Sequence, residues 1–128
     1  QLEASLIQRS SFTDGTLDQC LAGKMTPLAW SPLAGGLLAD GARRLLPSQQ
    51  GYQATPILKE IDILARRLET SRGIIALAWL LRHPAGIVPV VGSTNPTKIR
   101  EAVDATYLNL SREEWYRLLE AARGETLP

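Results

Sequence analysis

Residues 87–100, IVPVVGSTNPTKIR, constrain the fold more than any other stretch, because they pass from a dry apolar run through a glycine-bearing turn into a helix start. Ile87, Val88, Val90 and Val91 are β-branched, as a buried strand favours, and Gly92 permits a tight turn or a close approach by another group. Asn95 then reads as an N-cap, with Pro96 at the first helical position, where its missing N–H costs nothing. The first-turn N–H groups, with Lys98 beside them, make an anion site; the plainer reading is an ordinary capped helix.

Composition bounds what this unit can belong to. The chain has 128 residues, enough for one core-bearing domain and too few for a closed eight-stranded barrel of usual size. A formal net charge of +1 gives no reason to expect nucleic acid or an acidic membrane surface as partner. The lone Cys20 cannot form an internal disulfide, which favours a reducing compartment, and offers no metal-ligand spacing. No charged-then-apolar leader is visible, and the longest apolar run is too short to span a bilayer. A start at Gln1 rather than Met reads as a chain processed, engineered or cut from a longer one.

In chain order, residues 1–7 suit a strand with Leu2, Ala4 and Leu6 on one side and Gln1 and Glu3 on the other. A short helix over about 14–21 follows, capped by Thr13 or Asp14 and ended by Gly23. Residues 25–30 form the second candidate strand, with Pro27 near its beginning so that no ladder hydrogen bond is lost. Directly after it, SPLAGG (31–36) is either a turn or a ligand loop, and the ligand reading gains weight from Gly92 at the end of the later strand. The connection over 41–52 exceeds the usual strand-to-helix loop, so it is a functional cover or a disordered insertion.

Thr55 and Pro56 then read as a cap and first-turn pair for a helix to about Thr70, with Ile57, Ile61, Leu64 and Leu68 as its apolar stripe. Ser71 and Gly73 interrupt before IIALAWLL (74–81), which favours a second helix. Beyond the third strand, a helix from Pro96 carries Ile99 and Val103 on one face. A Ser111–Glu114 capping box opens a last helix with Trp115, Leu118, Leu119 and Ala122 along one side. The sole histidine, His83, is followed by Pro84 and lacks a sequence-local acid or thiol partner, so it reads as a helix-end residue. Cys20, Trp79 and Trp115 read as packing residues. Such alternation of strands and helices favours a parallel α/β arrangement. Three strands leave that arrangement unfinished, to be completed by another segment, another copy or an N-terminal portion.

The motifs at 1–5, 15–20 (GTLDQC), 27–36 (PLAWSPLAGG) and 88–102 occur in one order along nearly the entire chain, and together they resemble the C-terminal part of an aldo/keto reductase of the bacterial oxidoreductase type. The resemblance implies the sixth to eighth strands of a (β/α)8 TIM barrel. It divides residues 1–128 into three βα units with cofactor-binding loops (1–106) and a C-terminal outer helix (107–128). It also implies a cytoplasmic oxidoreductase whose intact parent moves hydride between NADPH and an aldehyde or ketone without a metal.

By the same resemblance, Gln1 holds the nicotinamide carboxamide of NADP(H), and Ser31, Pro32, Leu33 and Gly35 lie beside the pyrophosphate. Gly92, Ser93 and Thr94 form a phosphate-binding turn, Lys98 faces the 2′-phosphate and Glu101 the adenine. Ala102 departs from the family pattern, standing where many relatives carry Asn. The family's catalytic Asp, Tyr, Lys and His match no residue here, so no catalytic residue is assigned. The implied partner is the missing N-terminal half of the barrel, or another copy through open edges, with a small carbonyl substrate for the parent. The alternative is a non-catalytic pseudoenzyme fragment or partner-binding module, and an isolated chain without the catalytic group is expected to be inactive.

Overall fold

The computed structural model describes residues 1–41 and 54–127; most of the long connection anticipated over 41–52, with Arg43, Arg44 and Tyr52, lies outside them. Three short parallel strands, β1 (Leu2–Glu3), β2 (Leu28–Trp30) and β3 (Val88–Pro89), form one sheet in the order β1-β2-β3. Leu2 pairs with Ala29 and Glu3 with Trp30, while Leu28 pairs with Val88 and Ala29 with Pro89. The helices are α1 (Thr16–Ala22), α2 (Ala54–Arg67), α3 (Arg72–Leu81), α4 (Pro96–Asp104) and α5 (Arg112–Arg123). This is an α/β fold with a small parallel sheet and right order of elements for the motifs read above.

The first strand is much shorter than residues 1–7. Ser5 ends it: its Oγ accepts from the N–H groups of Ile7 and Gln8 at 3.2 and 2.9 Å, and its own N–H donates to Gln8 O at 2.9 Å. A side chain that satisfies local backbone donors competes with the ladder, so the chain turns and Ala4, Ser5 and Leu6 are buried in succession instead of alternating. Pro27 sits just before β2 as expected; it needs no N–H there, and its carbonyl accepts from Val88 N–H at 3.0 Å.

The third strand corrects the expectation of a buried strand. Ile87 is buried, but Val88 and Val90 are 45% and 44% exposed. The register puts Glu3, Trp30, Leu28 and Val88 on one face and Leu2, Ala29 and Pro89 on the other. Only the second face meets the core, which joins Ala4, Leu6 and Ala29 to Ile61 and Leu64 of α2, Ile75, Trp79 and Leu80 of α3, and Leu118 of α5. Ile99 and Val103 of α4 are likewise exposed, so their shared face has no cover among the described residues.

Helix boundaries follow local chemistry. Asp14 Oδ1 accepts from Thr16 N–H at 2.8 Å, but Gly15, at φ 87°, takes the N-cap position of α1. Thr55 lies inside α2 rather than capping it, and α2 ends at Arg67, short of Thr70, because Glu69 turns left-handed (φ 51°) and Thr70 N–H returns to Ala65 O at 2.9 Å. Ser71 caps α3, its Oγ accepting from Ile74 N–H, so Gly73 falls within that helix. The capping box of Ser111 and Glu114 is present in full. α5 lies along α2, with ion pairs Arg67–Glu114 and Arg117–Glu60 between them.

Trp79 and Trp115 lock α3 to α5. Their rings stack at 5.0 Å and 11°, Trp115 Nε1 donates to Trp79 O at 2.9 Å, and Trp79 Nε1 donates to Trp115 O at 3.2 Å. His83 lies beyond the end of α3, edge-on to Phe12 at 5.1 Å, with Nδ1 accepting from Ala85 N–H at 3.2 Å. Burial lowers its pKa, opposed in part by Asp18. It is a helix-end histidine, as its sequence context suggests.

Candidate functional site

A cavity of about 470 Å³ opens where the chain leaves β2 and β3. Carboxyl ends of parallel strands gather such sites because the connecting loops converge there on a rigid sheet. The first wall is the SPLAGG loop. Ser31, Ala34, Gly35 and Gly36 all have left-handed φ (52°, 50°, 64° and 90°), so the backbone bends twice within six residues. The glycines adopt this conformation without a Cβ penalty; Ser31 and Ala34 do so under strain, held by the surrounding bonds. Ala34 N–H donates to Ser31 O at 2.9 Å, Gly36 N–H to Leu33 O at 2.9 Å and Leu38 N–H to Leu33 O at 3.2 Å. Ser31 Oγ accepts from Gly35 N–H at 3.3 Å, which leaves the hydroxyl proton for an outside acceptor.

The second wall is the turn into α4. Ser93 Oγ accepts from Asn95 N–H at 3.1 Å and Asn95 Oδ1 from Thr97 N–H at 2.9 Å, so Asn95 is the N-cap and Pro96 the first residue of the helix. Gly92 is outside the left-handed region, and a Cβ built there meets nothing within 4 Å. The chain itself therefore does not require glycine at this position. Lys98 and Glu101, one turn apart on α4, both line the cavity.

Of the residues singled out in the sequence, Ser31, Pro32, Leu33, Gly35, Gly92, Ser93, Lys98 and Glu101 line this one cavity. Gln1 and Thr94 are exposed and lie outside its lining. A third wall escaped the sequence reading: Ser71, Gly73, Ile74 and Leu77 at the start of α3, faced by Asp40 from the segment after SPLAGG. The sequence signal for it is Ser71 three residues before Ile74, the spacing of an N-cap. Tyr107 and Tyr116 are exposed and, like His83, do not line the cavity. Among the described residues, no group of three or more His, Cys, Asp or Glu is placed to hold a metal ion, and no helix is long and apolar enough to cross a membrane.

The chain is 40% identical over 128 residues to a 6-dehydroglucose reductase of Novosphingobium aromaticivorans, covering 100% of this chain and 40% of that protein. It is 37% identical over 125 residues to a 6-dehydroglucose reductase of Agrobacterium fabrum, covering 98% and 38%. Against the oxidoreductase YdhF of Escherichia coli it is 33% identical over 129 residues, covering 100% and 40%. A crystal structure of a thermostable aldo-keto reductase in complex with the inhibitor epalrestat superposes with a TM-score of 0.74 at 24% identity, over 93% of this chain and 38% of that one, a likeness of fold. The chain thus spans about two fifths of the length of the curated relatives it matches. Residues 1–123 match the sequence model of the aldo/keto reductase family, and the chain belongs to that family.

Proposed function

We propose that this chain is the cofactor-holding C-terminal portion of a cytoplasmic NADP(H)-dependent aldo/keto reductase, and that the whole protein transfers hydride between NADPH and an aldehyde or ketone. The observation that carries this is the convergence of the SPLAGG loop, the Gly92–Ser93 turn, Lys98 and Glu101 on one cavity. On this reading β1, β2 and β3 are the sixth, seventh and eighth strands of a (β/α)8 barrel. Residues 1–106 are then three βα units and 107–128 the outer helix.

The residues suit a long, anionic cofactor. The open space at Gly92 admits a backbone-close phosphate, and the Ser31 hydroxyl has its proton to donate. Lys98 supplies a cation near the start of α4, and the positive end of the helix dipole there likewise favours an anionic ligand. Leu33, Ile74 and Leu77 give the cavity an apolar side against which a flat ring can lie. Gln1, at the start of β1, is assigned to the carboxamide and Thr94 to the phosphate turn by family resemblance alone. When bound, the reduced nicotinamide supplies the hydride. This chain contributes binding and orientation, while the proton for the carbonyl oxygen comes from outside these 128 residues.

The partner on this reading is the remaining barrel. β1 and β3 are the two edges of the sheet, and Val88 of β3 and Val90 just after it are exposed. Copies that each add the three described strands do not sum to eight, which favours the remaining barrel over a second copy as the partner. The 6-dehydroglucose reductases among the relatives make 6-dehydroglucose the first substrate to try.

The test is cofactor preference. Calorimetry on the whole protein and its Lys98→Ala form should show NADPH affinity falling about tenfold with NADH affinity little changed, the scale of one partly screened charge-assisted contact. Equal losses for both cofactors would reject a role for Lys98 at the extra phosphate.

A further inference from the structure

We infer that this site takes NADH as a second cofactor, because Glu101 offsets Lys98 where NADPH and NADH differ; this rests on the function proposed above. A cavity that selects the more highly charged of two anions needs a surplus of cations. This one shows none: among the described residues that line it, Lys98 is the one cation, against the carboxylates of Asp40 and Glu101. The Ser31 hydroxyl and the backbone N–H groups are neutral donors, which favour the phosphates common to both cofactors as readily as an extra one.

Lys98 and Glu101 stand one turn apart on α4, so their side chains are neighbours on one face of the helix, and both line the cavity. Neither takes part in an ion pair among the described residues, so no third described group neutralises either of them. The start of α4 adds less than a bare helix end would. Pro96 has no N–H, and the N–H of Thr97 goes to Asn95 Oδ1 at 2.9 Å. Selection for the extra phosphate therefore falls to the Lys98 side chain, and an anion held there also feels the Glu101 carboxylate.

NADPH and NADH share nicotinamide, pyrophosphate and adenine, and differ only at the 2′ position, where NADPH carries a phosphate of charge about −2. Contacts with the shared parts cancel in the ratio of the two dissociation constants, including any that the Glu101 oxygens make with the base. Attraction to Lys98 raises that ratio and repulsion from Glu101 lowers it. Both side chains are exposed, so each effect is screened, and the net preference for NADPH is held to about tenfold or less. Hydride chemistry is untouched by the exchange, since the nicotinamide is the same in both cofactors.

The experiment is calorimetry of NADPH and NADH binding to the whole protein at low and at high salt. Wild type should bind NADH within about tenfold of NADPH at low salt. Glu101→Gln, which keeps an oxygen acceptor and the length of the side chain, should tighten NADPH about threefold and leave NADH unchanged. That gain should vanish near 1 M salt, where charges are screened within about 3 Å. Glu101→Lys should widen the preference further, to about tenfold beyond wild type. A structural role for Glu101 would move both affinities together and without salt dependence, and thermal melts run alongside identify any variant that has simply unfolded. A wild-type preference above about thirtyfold, an unchanged or smaller preference in Glu101→Gln, or an equal change for both cofactors would overturn the inference while leaving NADPH binding intact. Absence of NADPH binding by the wild-type whole protein would instead overturn the proposed function, and this inference with it.

Discussion

Replacing Trp115 by Phe should destabilise the 128-residue chain by about 2–3 kcal/mol, and the structure locates most of that loss in one carbonyl. Trp79 lies in the last turn of α3, where carbonyls run out of helical donors; the N–H of His83, four residues on, goes to Leu80 O at 3.1 Å instead. Trp79 O is served by the Trp115 indole at 2.9 Å. Phenylalanine keeps an aromatic ring near the stack but has no N–H. The substitution therefore loses one net hydrogen bond, about 1 kcal/mol, and leaves an acceptor unsatisfied in a largely apolar setting, about 1–2 kcal/mol more. The reverse bond is less critical, because Trp115 O lies early in α5 and has a helical donor in addition to Trp79 Nε1. Urea unfolding followed by far-UV circular dichroism should show the midpoint falling by about 1–2 M with an unchanged slope. A midpoint shift corresponding to less than about 0.5 kcal/mol would show that the indole bond contributes no net stability. A changed slope would instead mean that the variant's unfolding no longer compares the same two states.

Three further outcomes are expected. Burial against Phe12 lowers the His83 pKa in the folded chain, so the unfolded chain binds more protons between the folded and ordinary values; stability is complete above the ordinary histidine range and falls as pH drops through it. The urea midpoint measured from about pH 5 to 8 should show that slope, and His83→Gln should flatten it. Glu69→Gly should stabilise the chain by about 1 kcal/mol, since Glu69 occupies a left-handed position after α2, and a thermal melt no higher than wild type would count against that strain. The purified 128-residue chain should show no NADPH-dependent reduction of aldehydes or ketones, with turnover restored by adding the rest of the parental barrel; robust turnover by the chain alone, with no copurifying reductase by mass spectrometry, would refute the assignment of acid/base chemistry to residues outside it.

What the sequence made legible was written in short-range chemistry. Asn95 with Pro96, Ser111 with Glu114, and the paired Gly35 and Gly36 each specify their backbone within a few residues, and each forms as read. The parallel order of the sheet followed from spacing alone, because intervening helices leave little choice of connection. Ser5 misled because the same residue type serves a strand or a turn, and only the hydrogen bonds from Ile7 and Gln8 decide between them. Thr55 misled for the opposite reason: Thr-Pro is a sound cap and first-turn pair, yet Ala54 is already helical.

The site divides along the same line. Its two loop walls stand in continuous motifs, whereas the α3 wall meets them through residues far apart in the chain, such as Asp40 and Arg72, which are 32 residues apart. No local pattern encodes such a meeting; it depends on where the buried Leu37 and Leu38 and the ion pair of Arg72 with Asp62 carry each partner. The exposed face of β3 shows the converse. Val88 and Val90 have the composition of a covered strand, but the residues that pack on the sheet, Ala29 and Ile87 among them, lie on its other side. β-branched composition reports what a strand is suited to bury against, and register reports what it does bury against. Where the two differ, as at Val88 and Val90, β-branched residues stand exposed on a strand face that the described residues do not cover.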